Sequence, residues 1–406
     1  MVVCSGCSLL CDDIEVVLDS GRIGEISNIC RKGLGRFRAV GLDRTDPRID
    51  GNKSSYDDAI LAAADLLRSS KRPLLFGWSN STLEAQRQGI ELARKLRGVI
   101  DDTSSFCQGI LVEKVLTGEL PTCTLDDVRD YADVVIFWGA DPSSSHPRHL
   151  SRFSYFPRGK KRQKGYEEER TAICIDVRES PTAKICAENY IKIPQGGDAA
   201  FAEALLNVLG GKIPKVADKK RMLELGSLLK KAEYGVIFGG LGLVYSMKDD
   251  IGLLGELLSR LNEVSKFYMM PMVGHYNMRG FNQTLYDETG HINRVSFADS
   301  IESGPEYGIV DALKICDAAL VIGSDPISSL PAHISRMLAK VPIVAIDPHR
   351  TLTTEVAKVV IPAAFSGLEA GGSALRMDGL PVKLEPILSS DYLSDAEILK
   401  RLLEAV

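Results

Sequence analysis

The chain has 406 residues, a net charge of −5 and a pI near 5.8, with 45% hydrophobic and 25% charged residues. This length predicts two or three domains, and the composition is that of an ordinary soluble protein with a buried core. Nucleic acid is excluded as the main partner because phosphate binding requires a basic face. No apolar run approaches membrane-spanning length, and no secretion signal or targeting leader is recognisable before the first cysteine. Nine cysteines with a clustered pattern indicate a reducing cytoplasm rather than a disulfide framework.

The first thirty residues contain the strongest motif, C-x2-C-x3-C-x18-C, formed by Cys4, Cys7, Cys11 and Cys30. Three thiolates close together and a fourth at a distance suit a [4Fe–4S] cubane, because one loop can wrap three of its corners. Zinc is the main alternative, although structural zinc sites usually pair their ligands in two separated C-x2-C knuckles. Four thiols without a metal are the remaining interpretation. We predict a small cluster domain at residues 1–51, in which DIEVVLDSGRIGEI forms a hairpin.

From Tyr56 onward the pattern alternates between helix and strand. SYDDAILAAADLLRSS predicts an amphipathic helix with Ser55 as its N-cap, and RPLLFGWSNST predicts a buried strand that ends at Gly77. A second helix, TLEAQRQGIELARKLRG, follows. This βα rhythm predicts an α/β fold with doubly wound, mostly parallel sheets.

An internal repeat organises the rest of the chain. ADVVIFWGADPSSSHPRHLSRF and DAALVIGSDPISSLPAHISRML each contain an apolar strand, Gly-x-Asp-Pro, a Ser-rich turn and a helix. Each is followed by a strand ending in Ile-Asp and a turn with Arg, and KRPLLFGWS and EYGVIFGGLG form a looser third pair. The repeat predicts two related α/β modules. We assign one discontinuous domain to residues 52–105 and 226–385, a second domain to 106–225, and a C-terminal helix to 386–406.

In such sheets, ligands bind at the carboxyl ends of the strands, where glycine permits close approach. Acidic residues there commonly accept ribose hydroxyls or a base edge, so the repeats predict two nucleotide-bearing ligands. The candidate binding residues are Gly139, Asp141, His146, Asp176, Arg178, Gly323, Asp325, Asp347, His349 and Arg350. The alternative is that Gly-x-Asp-Pro merely forms tight turns and helix caps. No G-x-G-x-x-G opens a helix, which weighs against a simple NAD enzyme.

Cys107 lies in IDDTSSFCQGILVEKVLTG, in a polar turn between a strand and a helix. Helix N-terminal dipoles are expected to lower its pKa, and a soft thiolate there suits a second-row or third-row metal carried by an organic cofactor. Taken alone, such a cysteine is more often a packed thiol. MMPMVGHYNMRGFNQTLYDETG has the composition of a loop folded over a ligand, with His275, Asn277 and Arg279 as candidate polar contacts.

These features resemble the molybdopterin oxidoreductase superfamily with two pyranopterin guanine dinucleotides. CSGCSLLCDDIEV, KRPLLFGWS, SHPRHLSR, GHYNMRGFNQ and IDPHRTLTTE resemble the B subunit of formylmethanofuran dehydrogenase, over essentially the whole chain. The resemblance implies that the first four cysteines hold a [4Fe–4S] cluster, that Cys107 ligates tungsten or molybdenum, and that the two Asp-bearing repeats hold the pterin dinucleotides. It implies reduction of CO2 to formate at the metal, with the reverse direction serving oxidative metabolism.

The resemblance also implies a hetero-oligomer. Its partners would be an amidohydrolase-like subunit that condenses formate with methanofuran, a small β-barrel subunit that covers the pterins, and polyferredoxin-type subunits. Because the barrel would be supplied by another subunit, we expect this chain to be neither stable nor active alone.

Two positions depart from the family pattern. Gln108 follows Cys107 where the family usually has His, and Val273 precedes GHYN where it usually has Arg. Those groups are expected to orient CO2 or stabilise developing negative charge, which requires hydrogen-bond donors. We expect Gln108 to donate and Arg279 to supply the missing cation, with His275 as a further catalytic candidate. The alternatives are a cofactor-binding structural subunit, or one whose active site has drifted to another substrate, without CO2 reduction, and a zinc-containing nucleotide-binding module.

Overall fold

The structure is a computed structural model that describes all 406 residues of the chain. The chain divides into two compact units. The first unit contains residues Met1–Gly109 and His275–Val406, and the second unit, Ile110–Gly274, is inserted between these two segments. None of the helices combines the length and apolar character that crossing a bilayer requires.

Eighteen strands occur along the chain. In order they are β1 Glu15–Asp19, β2 Arg22–Ser27, β3 Arg48–Ile49, β4 Asn52–Lys53, β5 Pro73–Phe76, β6 Val99–Asp101, β7 Val134–Trp138, β8 Thr171–Asp176, β9 Tyr190–Lys192, β10 Gly235–Gly239, β11 Phe267–Pro271, β12 Val295–Ser296, β13 Glu302–Ser303, β14 Ala318–Ile322, β15 Ile343–Asp347, β16 Val359–Pro362, β17 Gly372–Leu375 and β18 Pro381–Leu384.

Seventeen α-helical segments connect and cover the strands. In order they are α1 Arg31–Arg38, α2 Tyr56–Ser69, α3 Leu83–Lys95, α4 Gly109–Leu116, α5 Leu125–Tyr131, α6 Pro142–Ser145, α7 Pro181–Cys186, α8 Asp198–Leu209, α9 Lys219–Lys231, α10 Leu241–Ser246, α11 Gly252–Asn262, α12 Met278–Thr289, α13 Ile309–Ala312, α14 Pro326–Ser329, α15 Ala332–Leu338, α16 Leu352–Val356 and α17 Asp395–Ala405.

The first unit is built on a nine-stranded sheet of order β13-β12-β6-β5-β14-β15-β16-β3-β4. Its five central strands, β6 to β16 in that order, are parallel. Both faces are covered: Leu320 and Ile322 of β14 pack into one apolar cluster, and Ala319 and Val321 pack into the other. Burial on both faces explains why these strands read as continuous apolar runs.

The second unit contains a five-stranded, fully parallel sheet of order β11-β10-β7-β8-β9. Its large apolar cluster includes Ile136 and Trp138 of β7 together with helices α8, α9 and α11. The α/β fold with mostly parallel sheets is therefore confirmed in both units. The predicted hairpin is also present as the antiparallel pair β1 and β2.

The two sheets show that the repeat is permuted. In the first unit, β5 precedes the Gly-x-Asp-Pro strand β14 and pairs with it, whereas in the second unit β10 follows the corresponding strand β7 and pairs with it. KRPLLFGWS and EYGVIFGGLG are therefore equivalent strands, as the looser third pair predicts.

This permutation moves the domain boundaries away from the predicted ones. The inserted unit runs from Ile110 to Gly274 rather than from 106 to 225, because β10 and β11 extend the sheet of β7. Residues 1–51 do not separate from the first unit as a compact body. The last helix is also shorter than residues 386–406 and begins at Asp395.

Candidate functional site

The amino-terminal loop folds its first three cysteines inward. Cys4, Cys7 and Cys11 are each 6% exposed, whereas Cys30 is less buried and forms the N-cap of α1. The Cys4 N–H donates to the Cys11 carbonyl at 2.8 Å and closes the loop. Burial raises the pKa of the Cys4 thiol to about 12, and the neighbouring Cys7, Cys11 and Cys30 thiols add to this rise. The four predicted ligands therefore lie within electrostatic range of one another.

The surroundings of these sulfurs fit an iron–sulfur cluster. The Gly6 N–H donates to Cys4 Sγ and the Gly33 N–H donates to Cys30 Sγ, both at 3.4 Å. Gly33 passes so close that a Cβ there would lie 2.9 Å from Cys4 Sγ. No three His, Cys, Asp or Glu side chains converge as ligands of one metal ion would. In a [4Fe–4S] cubane each cysteine binds a different iron, so the four sulfurs need not converge on one point. Buried thiols that accept N–H groups therefore suit a cluster.

Cys107 lies at the carboxyl edge of the nine-stranded sheet, just after β6. A 3₁₀ turn at Thr103–Phe106 leads to it, and α4 begins two residues later. The thiol donates a hydrogen bond to Oε1 of Gln108, which is only 7% exposed. Burial raises the pKa of the Cys107 thiol to about 11. The prediction of a lowered pKa is therefore wrong for the free thiol, because burial outweighs any effect of the following helix.

A buried hydrogen-bond network holds the turn before this cysteine. Asp102 is 0% exposed; it accepts from the Ser104 N–H at 3.0 Å and from the hydroxyls of Ser104 and Ser79. The Ser104 hydroxyl accepts in turn from the amides of Asn282 and Asn293, each at 2.8 Å. Burial raises the pKa of Asp102 to about 6, while the hydrogen bonds from Ser104 and Ser79 oppose the rise. Linked bonds of this kind restrict the turn to one conformation.

His275 and Asn277 begin the second segment of the first unit. Burial lowers the pKa of His275 to about 4, and the Lys32 ammonium adds to the decrease, so the imidazole is neutral at pH 7. Since Lys32 also acts on the thiols of the cluster loop, His275 lies on that side of the unit. Asn277 is structural: its amide donates to the Ser81 carbonyl at 2.8 Å and accepts from the Leu375 N–H at 2.9 Å.

Arg279 is buried and lies beside the turn between β17 and β18. The side chain is 7% exposed, burial lowers its pKa to about 10, and Asp287 and Asp378 oppose that decrease. In the turn between β17 and β18, a Cβ on Gly379 would lie 3.4 Å from Arg279 Nη2. Nη1 is buried without a hydrogen-bond partner, and no hydrogen bond joins Arg279 to Cys107. The contacts of Arg279 give no support to its predicted role beside the metal.

In the second unit, His146 and Val273 form one contact. His146 is 0% exposed, and its Nε2 donates to the Val273 carbonyl at 2.8 Å. Because that nitrogen carries the proton, Nδ1 accepts from the Ser145 hydroxyl at 2.8 Å. Both ring nitrogens have partners inside the unit, so His146 holds its own loop, and its contact with a dinucleotide stays a prediction. The Val273 side chain is buried and supplies no donor.

The two Gly-x-Asp-Pro segments adopt the same geometry in their separate units. Asp141 Oδ1 accepts from the Thr182 N–H at 3.2 Å and the Thr182 hydroxyl at 2.6 Å. Asp325 Oδ1 accepts from the Thr353 N–H at 2.9 Å and the Thr353 hydroxyl at 2.6 Å. Each aspartate thus ties the end of its strand to the first turn of the helix after the neighbouring strand. Each aspartate therefore has a structural role at its strand end, and its contact with a nucleotide stays a prediction.

The preceding glycines are equivalent as well. Gly139 has φ +56° and Gly323 has φ +53°, a region that glycine enters without steric cost. The Gly139 N–H donates to the Ile175 carbonyl at 2.8 Å, and the Gly323 N–H donates to the Ile346 carbonyl at 2.9 Å. A Cβ on Gly323 would lie 3.2 Å from the Asn80 carbonyl oxygen. Both glycines therefore serve the close approach of backbone segments that the motif predicts.

The second aspartates differ between the units. Asp176 is partly exposed and accepts from the Arg178 N–H at 3.2 Å, while the exposed Arg178 guanidinium lies 3.6 Å from Asp141. Asp347 is 7% exposed and accepts from the His349 N–H at 2.8 Å. Burial raises the pKa of Asp347 to about 7.

His349 and Arg350, the predicted binding residues that follow β15, contact residues nearby in the first unit. The His349 ring stands edge-on to Phe365, with 4.7 Å between the centroids, and burial lowers the pKa of His349. The exposed Arg350 donates to both carboxylate oxygens of Glu355, at 2.7 and 2.9 Å. Its guanidinium is therefore paired, although it remains accessible to an anion.

A cleft of about 330 Å³ opens at the carboxyl edge of the five-stranded sheet. It is lined by Gly139, Asp176, Val177, Gln195, Gly196, Asp198, Gly242, Tyr245 and Ser246. β8 and β9 lie on one side of β7 and β10 lies on the other, so the cleft is at the topological switch point of the sheet. Open α/β sheets bind their ligands at such a point. Two predicted binding residues, Gly139 and Asp176, are therefore well placed.

Sequence reasoning missed the partners that position these residues. Thr182 and Thr353, which complete the strand-end caps, follow the Ile-Asp turns at similar spacing, and that shared spacing could have revealed them. Asp102 and Ser79 lie far apart in sequence, and no local pattern signals their contact. Arg36 lies in α1, after the cluster cysteines. A basic residue near a helix end is usually exposed, so the sequence did not indicate that the Nε of Arg36 is buried.

Comparisons with known proteins place the chain in a family. It is 37% identical to the B subunit of the tungsten-containing formylmethanofuran dehydrogenase 2 of Methanocaldococcus jannaschii, over 100% of this chain and 98% of that protein. The protein of the same name from Methanococcus maripaludis is 34% identical, over 100% of this chain and 98% of that protein. The chain belongs to the family of formylmethanofuran dehydrogenase B subunits. No family model matches it.

A solved structure shares the fold of this B subunit. It is a chain of the formyltransferase/hydrolase complex FhcABCD from Methylorubrum extorquens, in complex with methylofuran. The TM-score is 0.70 at 24% identity, and the alignment covers 88% of this chain and 98% of the other. This likeness supports the α/β architecture with mostly parallel sheets.

Proposed function

We propose that this chain is the catalytic subunit of a formylmethanofuran dehydrogenase complex, which reduces CO2 to formate at a tungsten- or molybdenum-bispterin centre. Cys4, Cys7, Cys11 and Cys30 would hold a [4Fe–4S] cluster that would supply the electrons, and the reaction would be reversible. A partner subunit of amidohydrolase type then formylates methanofuran. Polyferredoxin-type subunits and a small β-barrel subunit complete the complex. The observation that carries the proposal is the inward-facing cysteine loop, combined with a fifth cysteine, Cys107, just after a strand end of the same unit.

Cys107 is the residue that would ligate the metal. When bound, the metal–pterin centre supplies two-electron exchange with the carbon of CO2. The Cys107 thiol has a pKa of about 11 in its buried place, so it must lose its proton as it becomes a ligand. The Asp102 network holds the turn during this change. Gln108 Oε1, which accepts from the thiol, then loses its donor, and the amide N–H of Gln108 becomes the useful group beside the site.

The remaining site residues would bind and orient. His275 is neutral at pH 7 and can exchange one hydrogen bond with a substrate oxygen without adding charge. Asp141 and Asp325 fix the strand-end turns, while Gly139, Asp176, Arg178, Gly323, Asp347, His349 and Arg350 are the proposed contacts for the two pterin dinucleotides. The support for these contacts is their position at the carboxyl ends of parallel strands.

A second candidate function is a cofactor-binding structural subunit without CO2 reduction. Gln108 and Val273 favour it, because neither supplies the cation expected beside the metal. The fold likeness to a chain of a formyltransferase/hydrolase complex is compatible with it. The four cysteines oppose it, since a subunit without electron transfer has no use for a buried cluster loop.

The test is elemental analysis with electron paramagnetic resonance on the complex, purified without oxygen. About four irons and one tungsten or molybdenum per chain are expected. Cys107→Ser should lose the tungsten or molybdenum and at least about a thousandfold in CO2 reduction while keeping its iron. Cys316→Ser, at another buried free cysteine of the same unit, is the matched control and should keep both.

Two results would contradict the proposal. Iron without tungsten or molybdenum in the wild-type complex would favour the structural subunit, and zinc without iron would identify the site as a zinc module.

A further inference from the structure

The guanidinium of Arg36 lies beside the cluster loop, the amino-terminal loop that contains Cys4, Cys7 and Cys11. Arg36 lies on α1, one turn after Gly33, the glycine whose Cβ position is 2.9 Å from Cys4 Sγ. Residues three apart share a face of a helix, so Arg36 extends from the face that approaches the cluster cysteines. The Cys4 thiol accordingly acts on Arg36 electrostatically.

A second set of contacts locates the same side chain independently. The guanidinium carbon of Arg36 lies 4.8 Å from the centre of the Phe365 ring. The neighbouring residue, Ser366, accepts at its carbonyl from the hydroxyl of Ser5 at 3.0 Å, and Ser5 follows Cys4. The ring under Arg36 is therefore joined to the cluster loop by a buried hydrogen bond, and the contact does not depend on an exposed side chain.

Arg36 has no carboxylate partner that neutralises it. Its Nε is buried without a hydrogen-bond partner, and no ion pair includes it. Asp347, Asp395 and Tyr276 are the titratable groups that act on it besides Cys4. Asp395 is occupied by the Thr82 N–H at 2.9 Å and the Thr82 hydroxyl at 3.0 Å. A guanidinium stays protonated at any physiological pH, so Arg36 places a positive charge without a salt-bridge partner near the cysteines.

We propose that Arg36 is a positioning residue that sets the reduction potential of the cluster by stabilising its reduced form. This inference rests on the proposed [4Fe–4S] cluster. Reduction adds one electron to a centre already ligated by four thiolates, and a nearby cation in a low-dielectric wall favours the more negative state. The Phe365 ring holds the cation at a fixed place through its π face.

The test measures the midpoint potential of the cluster in the intact complex, by redox titration followed with electron paramagnetic resonance. Arg36→Gln should make the reduced cluster about tenfold less favoured, which is a fall of about 59 mV for a one-electron couple. Arg36→Lys should restore most of the wild-type potential. Arg38→Gln, an exposed arginine at the end of the same helix, is the matched control and should leave the potential unchanged.

The outcomes separate this inference from the proposed function. An unchanged midpoint in Arg36→Gln with full iron content would overturn the inference and leave the cluster in place. If Arg36→Gln loses iron, the midpoint potential is measured in Phe365→Leu instead. This variant keeps the cation but removes the ring that orients it. A lower midpoint in Phe365→Leu supports the inference, and an unchanged one overturns it. A wild-type complex without iron would overturn the inference and the proposed function together.

Discussion

The two copies of the strand-end repeat agree in one aspartate and differ in the other. Asp141 and Asp325 accept from the equivalent threonines, Thr182 in the first turn of α7 and Thr353 in the first turn of α16. The Ile-Asp aspartates have different surroundings: Asp176 faces a cleft, whereas Asp347 is buried and acted on by Arg36 and Arg44. The common aspartate thus fixes the same strand-end turn in each unit, whereas the surroundings of the second aspartate differ between the units.

The largest expected effect comes from removing the charge of Asp347. Its pKa of about 7 is above the usual 3.8, so the folded state binds a proton more tightly than the unfolded state. The stability that this carboxyl contributes is fully present below about pH 4 and is lost as the pH rises through 7. Asp347→Asn does not titrate, so in the complex it should gain up to about 4 kcal/mol over the wild type between these pH values.

Urea unfolding at pH 4 to 8 measures this gain. Asp176→Asn is the matched variant, at the equivalent but partly exposed position. An equal pH-dependent gain at both positions would contradict the argument from burial.

A smaller and equal effect is expected at the capping aspartates. Asp141→Ala and Asp325→Ala each leave a buried threonine N–H and hydroxyl without their acceptor, at a cost of about 1–3 kcal/mol. Hydrogen exchange in the complex should show the loss locally, in α7 for the first variant and in α16 for the second. Substitution by Asn keeps one acceptor and should cost less. Protection lost in only one of the two helices would break the equivalence of the repeats.

The smallest stability effect is expected at the exposed arginine of the second unit. Arg178 is 68% exposed and 3.6 Å from Asp141, so Arg178→Gln should change the unfolding free energy by less than about 1 kcal/mol. If Arg178 contacts a pterin dinucleotide, the same variant should lose bound guanine nucleotide, measured by chromatography after denaturation. Lys184→Gln, on the helix that follows, is the control. Full nucleotide content in Arg178→Gln would remove this residue from the site.

Local patterns predicted the strands, the helix caps and the repeat because each depends on neighbours in sequence. Ser55 caps α2 as its spacing predicts, and Gly139 and Gly323 take the left-handed backbone that their turns require. The boundary at residue 225 was wrong because a permuted repeat is defined by strand pairing, and β10 could be assigned to either sheet until its partner β7 was known.

The site itself was predictable only in part. The spacing of the first four cysteines predicts a cluster site. The pKa of Cys107, in contrast, depends on burial, which no local pattern reveals. No local pattern reveals the surroundings of Arg279 either, because it lies beside the turn between β17 and β18, about a hundred residues later in the chain.

The insertion of the second unit also sets an order of events during synthesis. β5 leaves the ribosome early, but its parallel partner β14 is translated only after the whole inserted unit. Domains generally fold as they emerge, so the five-stranded sheet can close while β5 still has an unpaired edge. An apolar strand with an unpaired edge can pair with a strand of another chain and so promote aggregation. Residues 318–322 remove this hazard when they pair with β5.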